Sequence, residues 1–133
     1  MTIVVDASVV VAALIDGGPD GVWAEQILSN EPLVAPHLMP VEAANILRRS
    51  ILVGDIGEEI ASIAHKDLLD WRIELFPYEP FAERIWSLRR NVTTFDAWYV
   101  ALAEELGASL VTLDTRLSRA TGPRCQFRTP PLN

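Results

Sequence analysis

The chain has 133 residues, half of them hydrophobic and 22% charged, which fits one compact domain able to fold without staples. A single cysteine, Cys125, excludes an intrachain disulfide framework and points to a reducing, cytosolic setting. The formal net charge of −7 disfavours non-specific nucleic-acid binding, and no uncharged apolar run approaches the ~20 residues of a membrane span.

Thr2 to Val5 reads as a buried strand. The apolar start has no positive flank and is interrupted by Asp6, which argues against a secretory signal. Ser8 is a good N-cap for a helix over Val9 to Ile15. Gly17-Gly18-Pro19-Asp20 forms a turn opening an amphipathic helix with Val22, Trp23, Ile27 and Leu28 on its apolar side. Leu33 to Ala35 is a short strand closed by Pro36, and a helix follows from about Pro40 to Val53. Gly54 to Gly57 breaks the chain before a helix over Glu58 to Trp71. Arg72 to Phe76 reads as a strand, and Pro77 and Pro80 frame the entry to a helix over Phe81 to Arg90. Thr93 or Thr94 caps a helix that stops at Gly107. Ser109 to Leu113 is the clearest strand; a short helical turn and a last strand near Cys125 to Arg128 follow. Strands alternating with helices of ten or more residues predict an α/β class, a mostly parallel sheet of four or five strands covered by helices on both faces.

In a parallel sheet every strand points its carboxyl end to one edge, and ligands bind there. Asp6 follows the first strand, Glu42 opens the helix after the second, Asp96 opens the helix before the Ser109 strand, and Asp114 follows that strand. All four are expected at the same edge. Each also has a bland reading as a turn residue, a cap or a favourable charge at a helix N-terminus. Two details favour convergence. Asp96 lines up at helical spacing with Val100, Ala103 and Gly107, and Glu42 has Asn45 one turn on.

Two carboxylates about 4 Å apart repel by about 4 kcal/mol at the effective dielectric of a protein surface. Several in one cleft require protonation or a cation. Oxygen donors alone select a hard ion, Mg²⁺ or Mn²⁺, and His37 and His65 lie outside the four acidic segments. Such an ion suits phosphodiester hydrolysis and lets an acidic pocket accept a polyanion. All eighteen acids lie at or before Asp114, whereas the last nineteen residues carry four arginines and no acid. Arg116 and Arg119 beyond Asp114, and Arg89 and Arg90 before the Asp96 helix, are candidate clamps for flanking phosphates, or else surface charge or a partner contact.

Asp6-Ala7-Ser8, Glu42-Ala43-Ala44-Asn45, Asp96 to Ala103, and Thr112-Leu113-Asp114 with Leu117 resemble, in order, the motifs of PIN-domain proteins, the VapC toxins above all. The resemblance spans essentially the whole chain. It implies a three-layer α/β/α sandwich and an Mg²⁺- or Mn²⁺-dependent endoribonuclease. It also implies inhibition by a VapB-type antitoxin and, commonly, homodimers. Carried over, Asp6, Glu42, Asp96 and Asp114 match the family's acidic quartet. Asp6, Asp96 and Asp114 form the metal set, with Asp6 and Asp96 foremost as direct ligands. Glu42 and Asp114 act directly, through bound water or by positioning the nucleophile. Ser8, Asn45 and Thr112 match accessory polar positions. The competing class is a non-catalytic RNA- or protein-binding module. A phosphatase or receiver fits poorly, since no acid follows Asp6 by two residues and Lys66 follows no late strand; no Gly-rich phosphate loop follows any strand.

Overall fold

The computed structural model describes residues 1–132. Five strands, β1 (Ile3–Val5), β2 (Leu33–Pro36), β3 (Ile73–Phe76), β4 (Ser109–Val111) and β5 (Phe127–Arg128), form one sheet in the order β3-β2-β1-β4-β5. Every neighbouring pair is parallel, with Val4 opposite both Val34 and Leu110. β1 is central and fully buried, as its unbroken Ile-Val-Val run requires.

Seven helices surround the sheet. α1 (Ala7–Ile15), α2 (Pro19–Leu28), α3 (Met39–Leu52) and α4 (Glu58–Asp70) pack on one another, and α5 (Ala82–Ser87) packs on α6 (Thr94–Leu106), which also lies against β1, β2 and β4. The last helix, α7 (Thr115–Ser118), is a single turn after β4. This is the three-layer α/β/α sandwich. Because β2 lies to one side of β1 and β4 to the other, the chain reverses direction across the sheet between β1 and β4. That point is where open α/β sheets place their ligands.

Several boundaries move for identifiable reasons. The N-cap of α1 is Asp6 rather than Ser8, whose hydroxyl turns back to the Asp6 carboxylate instead. Pro36 ends β2 rather than following it, with its paired partner Phe76 on β3. The helix expected over Phe81 to Arg90 begins as a 3₁₀ turn at Glu79–Phe81 and stops at Ser87. Three-residue hydrogen bonds from Leu88 to Ile85 and from Arg89 to Trp86 tighten the chain there. β4 ends at Val111, two residues early: the Thr112 N–H still donates to the Arg128 carbonyl, while the Thr112 hydroxyl and the Leu113 N–H turn to the β1 edge. Gly107 ends α6 in the left-handed region at φ 62°, where a side chain would be strained.

Gly21 is required by close approach. A Cβ there would lie 1.7 Å from the Asp16 carbonyl oxygen and 3.0 Å from that of Ala12, both backbone atoms of the α1 end. Gly21→Ala must therefore push α2 off α1, with an expected loss of about 3 kcal/mol and about 10 °C in Tm. A melting temperature unchanged from wild type would contradict this packing.

Candidate active site

The site begins where β1 and β4 end side by side. The Asp6 N–H donates to the Val111 carbonyl at 3.0 Å, continuing the parallel ladder one step beyond both strands. That register puts Thr112 next to Asp6, and its hydroxyl donates to Asp6 Oδ2 at 2.7 Å. Ser8 Oγ donates to the same oxygen at 3.1 Å and accepts the Leu113 N–H at 3.4 Å. Thr112 Oγ1 in turn accepts the Asp114 N–H at 3.0 Å. Thr112 is fully buried, the one polar residue so placed among the described residues, which suits a device for holding Asp6.

The other acids arrive on helix and strand ends. Glu42 sits in the first turn of α3 and Asp96 in the first turn of α6, where the Thr93 hydroxyl caps by accepting the Asp96 N–H at 3.1 Å. Asp114 N-caps α7, its Oδ1 accepting the Arg116 and Leu117 N–H groups at 2.9 and 3.1 Å. The capping reading of Asp114 is thus correct, and its carboxylate still borders the cleft described below.

Burial pushes the Asp6 carboxyl above its ordinary range, against the lowering hydrogen bonds from Thr112 and Ser8. Burial raises Glu42 as well, opposed by the Tyr99 hydroxyl and reinforced by the charges of Asp6 and Asp96. Asp96 is raised by burial, then by Asp6 and Asp114. Asp6, Glu42 and Asp96 therefore lie within reach of one another's fields, and Asp114 reaches Asp96. The two ion pairs among the described residues, from the Met1 amine to Glu31 and from Arg84 to Glu104, involve none of them. This is uncompensated negative charge presented by oxygen donors alone.

Among the described residues no group of three or more Asp, Glu, His or Cys side chains is placed to hold a metal ion. The donor set nonetheless fits a hard hydrated cation, because Mg²⁺ takes one or two carboxylates and keeps most of its waters. Asp6, Glu42 and Asp114 each have one oxygen already engaged, by Thr112 and Ser8, by Tyr99 and by the start of α7, and each keeps its other oxygen for such an ion.

A cleft of about 670 Å³ opens over Asp96 and Asp114, and Arg89, Arg90 and Arg116 border it. Arg89 is held in place: its guanidinium lies 4.7 Å from the Trp86 ring centroid and donates to the Trp86 carbonyl at 2.9 Å. Arg119 is exposed and does not border the cleft. Asn45 is also exposed, and among the described residues it makes no hydrogen bond to the acids. His37 and His65 are exposed and take no part.

Sequence reasoning missed Tyr99. It lies on α6 three residues after Asp96, is 2% exposed, and donates from its hydroxyl to Glu42 Oε1 at 2.7 Å. A tyrosine within an otherwise apolar helix face was the available signal, since a buried phenol needs a hydrogen-bond partner.

Residues 3–123 match the PIN domain model. The chain is 41% identical over 127 residues to Ribonuclease VapC1 of Mycobacterium tuberculosis, covering 94% of this chain and 95% of that protein. It is 39% identical over 132 residues to Ribonuclease VapC9 of the same species, covering 97% and 98%. In fold it is similar to PAE2754 from Pyrobaculum aerophilum, with a TM-score of 0.69, 24% identity, and 96% and 83% of the two chains covered. It is likewise similar to Mycobacterium tuberculosis VapC20, a Sarcin-Ricin loop cleaving toxin, with a TM-score of 0.66, 19% identity, and 87% and 92% covered. VapBC2 from Rickettsia felis, bound to a promoter DNA fragment, matches with a TM-score of 0.66 at 15% identity, covering 97% and 98%. The domain match over residues 3–123 and relatives 39–41% identical along nearly their whole length agree: the chain belongs to the PIN domain family, with the VapC ribonucleases.

Proposed function

We propose that this chain is the endoribonuclease toxin of a VapBC-type pair, hydrolysing RNA phosphodiester bonds with an Mg²⁺ or Mn²⁺ ion held by Asp6 and Asp96. One observation supports the reading: Asp6, Glu42 and Asp96, none of them in an ion pair, lie close enough to raise one another, beside a cleft that Asp96, Asp114 and three arginines border. When bound, such an ion lowers the pKa of a water and offsets charge on the phosphate oxygens.

The chain's own residues supply the rest. Thr112 and Ser8 keep the Asp6 carboxylate oriented and favour its ionised form. Glu42, raised above the usual carboxylate range, is suited to accept the proton of an attacking water. Arg89, braced on Trp86, and Arg116 clamp phosphates flanking the cut, which answers the repulsion expected from an acidic protein. A VapB-type antitoxin is the inferred partner. Exposed Leu52, Val53, Ile60 and Ile63 along α3 and α4 supply apolar surface for a protein contact. No described helix is long and apolar enough to cross a membrane.

The test is cleavage of total RNA by the purified chain with Mg²⁺ or Mn²⁺. Activity is expected to vanish with chelator and return with added ion. Arg89→Ala combined with Arg116→Ala should raise KM about tenfold with kcat little changed, as two phosphate contacts of less than 1 kcal/mol each would give. RNA that binds but stays uncut at saturating ion would instead mark a non-catalytic binding module.

A further inference from the structure

Tyr99 links two of the elements that carry the acids. It belongs to α6, three residues after Asp96, and its hydroxyl donates to Glu42 Oε1 on α3 at 2.7 Å. Burial, with Asp6 and Glu42 nearby, drives its ionisation far above the ordinary tyrosine range, so this hydroxyl is a permanent donor. The ring is enclosed in the core, so it has little freedom to swing away.

We propose that Tyr99 is a positioning residue of the nuclease site. It fixes Glu42 with one carboxylate oxygen committed to the phenol, leaving a single oxygen for the reaction. That arrangement suits Glu42 to orient a water and suits it poorly to ligate an ion with both oxygens. Because Glu42 starts α3 and Tyr99 is anchored in α6, the bond also sets the spacing of two helix N-termini across the β1 edge. The inference rests on the ribonuclease reading above.

The experiment compares wild type, Tyr99→Phe, Glu42→Gln and the double variant, each checked for folding by circular dichroism. RNA cleavage is measured at saturating Mn²⁺, and Mn²⁺ affinity by calorimetry. Tyr99→Phe, which removes only the hydroxyl, should lower kcat about tenfold with KM unchanged, the effect of one lost charge-assisted hydrogen bond. Glu42→Gln should lower kcat at least about a hundredfold, the scale of general-base loss. The double variant should match Glu42→Gln within about twofold, because Tyr99 acts through Glu42. Mn²⁺ affinity should stay within about threefold of wild type in Tyr99→Phe, since the phenol holds Glu42 and not the ion. A Tyr99→Phe enzyme with wild-type kcat would overturn the assignment. So would a double variant a further tenfold slower than Glu42→Gln, or a Tyr99→Phe chain that loses Mn²⁺ binding. A wild-type chain inert on RNA at saturating Mn²⁺ would instead fail the ribonuclease reading itself and take the role of Tyr99 with it.

Discussion

Asp6→Asn is expected to abolish RNA cleavage and to make the metal-free protein more stable. Asp6 is the acid most withdrawn from water, raised by burial despite hydrogen bonds from Thr112 and Ser8. An asparagine keeps an oxygen to accept those two hydroxyls while removing a charge that nothing in the chain neutralises. Stability should rise by about 1 kcal/mol, or about 4 °C in Tm, as when a frustrated functional group is relieved. Activity should fall at least about 10³-fold, because losing an ion-holding carboxylate removes several kcal/mol of transition-state stabilisation. Thermal melting and cleavage rates on the same preparation check both halves. Loss of activity together with lower stability would mean that Asp6 serves the fold rather than a bound ion.

The second large effect concerns pH. Asp6, Glu42 and Asp96 all have folded pKa values above their unfolded ones, each chiefly through burial. A group raised on folding contributes stability that is complete below its unfolded pKa and is lost as pH climbs through its folded pKa. The metal-free chain should therefore melt at a lower temperature at neutral pH than just above the ordinary carboxylate range. Glu31 and Glu104 act in the opposite sense, each lowered, Glu31 by the Met1 amine and Glu104, despite its burial, by Arg84. Their contribution is lost only as pH falls below the ordinary carboxylate range, so it leaves the neutral side to the three raised acids. Adding Mn²⁺ at neutral pH should reverse the loss. At a hundredfold excess over Kd the gain is about 2.7 kcal/mol, or about 10 °C. A melting temperature that climbs steadily to neutral pH and ignores Mn²⁺ would contradict the crowding of these acids.

The sequence was most informative where topology turned it into geometry. Once the sheet is parallel, an acid directly after β1 and another after β4 must share an edge, and Asp6 and Asp114 do. Ser8 and Thr112, which only the family resemblance singles out as accessory polar positions, hydrogen-bond to Asp6 at that corner. Partners that meet only through packing were not legible. Tyr99 and Glu42 are 57 positions apart and meet only through a hydrogen bond between α6 and α3. Arg84 and Glu104 pair in the same way, with Arg84 also donating to the Gly122 carbonyl and Glu104 accepting the Arg124 N–H, so the pair pins the C-terminal segment. Exposure was the weakest inference. Asn45 shares a helix turn with Glu42 yet faces away, and Arg119 follows Arg116 by three residues yet stands off the cleft. One turn of helix in either case decides between site and surface.

Calorimetric titration of Mn²⁺ into the wild-type, Asp6→Asn and Asp96→Asn chains at neutral pH asks most directly whether the shared edge exists to hold an ion. Wild type should bind, and each substitution should weaken binding at least about tenfold, a loss of 1.4 kcal/mol or more. Equal binding by all three, or none by wild type, would mean that these carboxylates hold no ion.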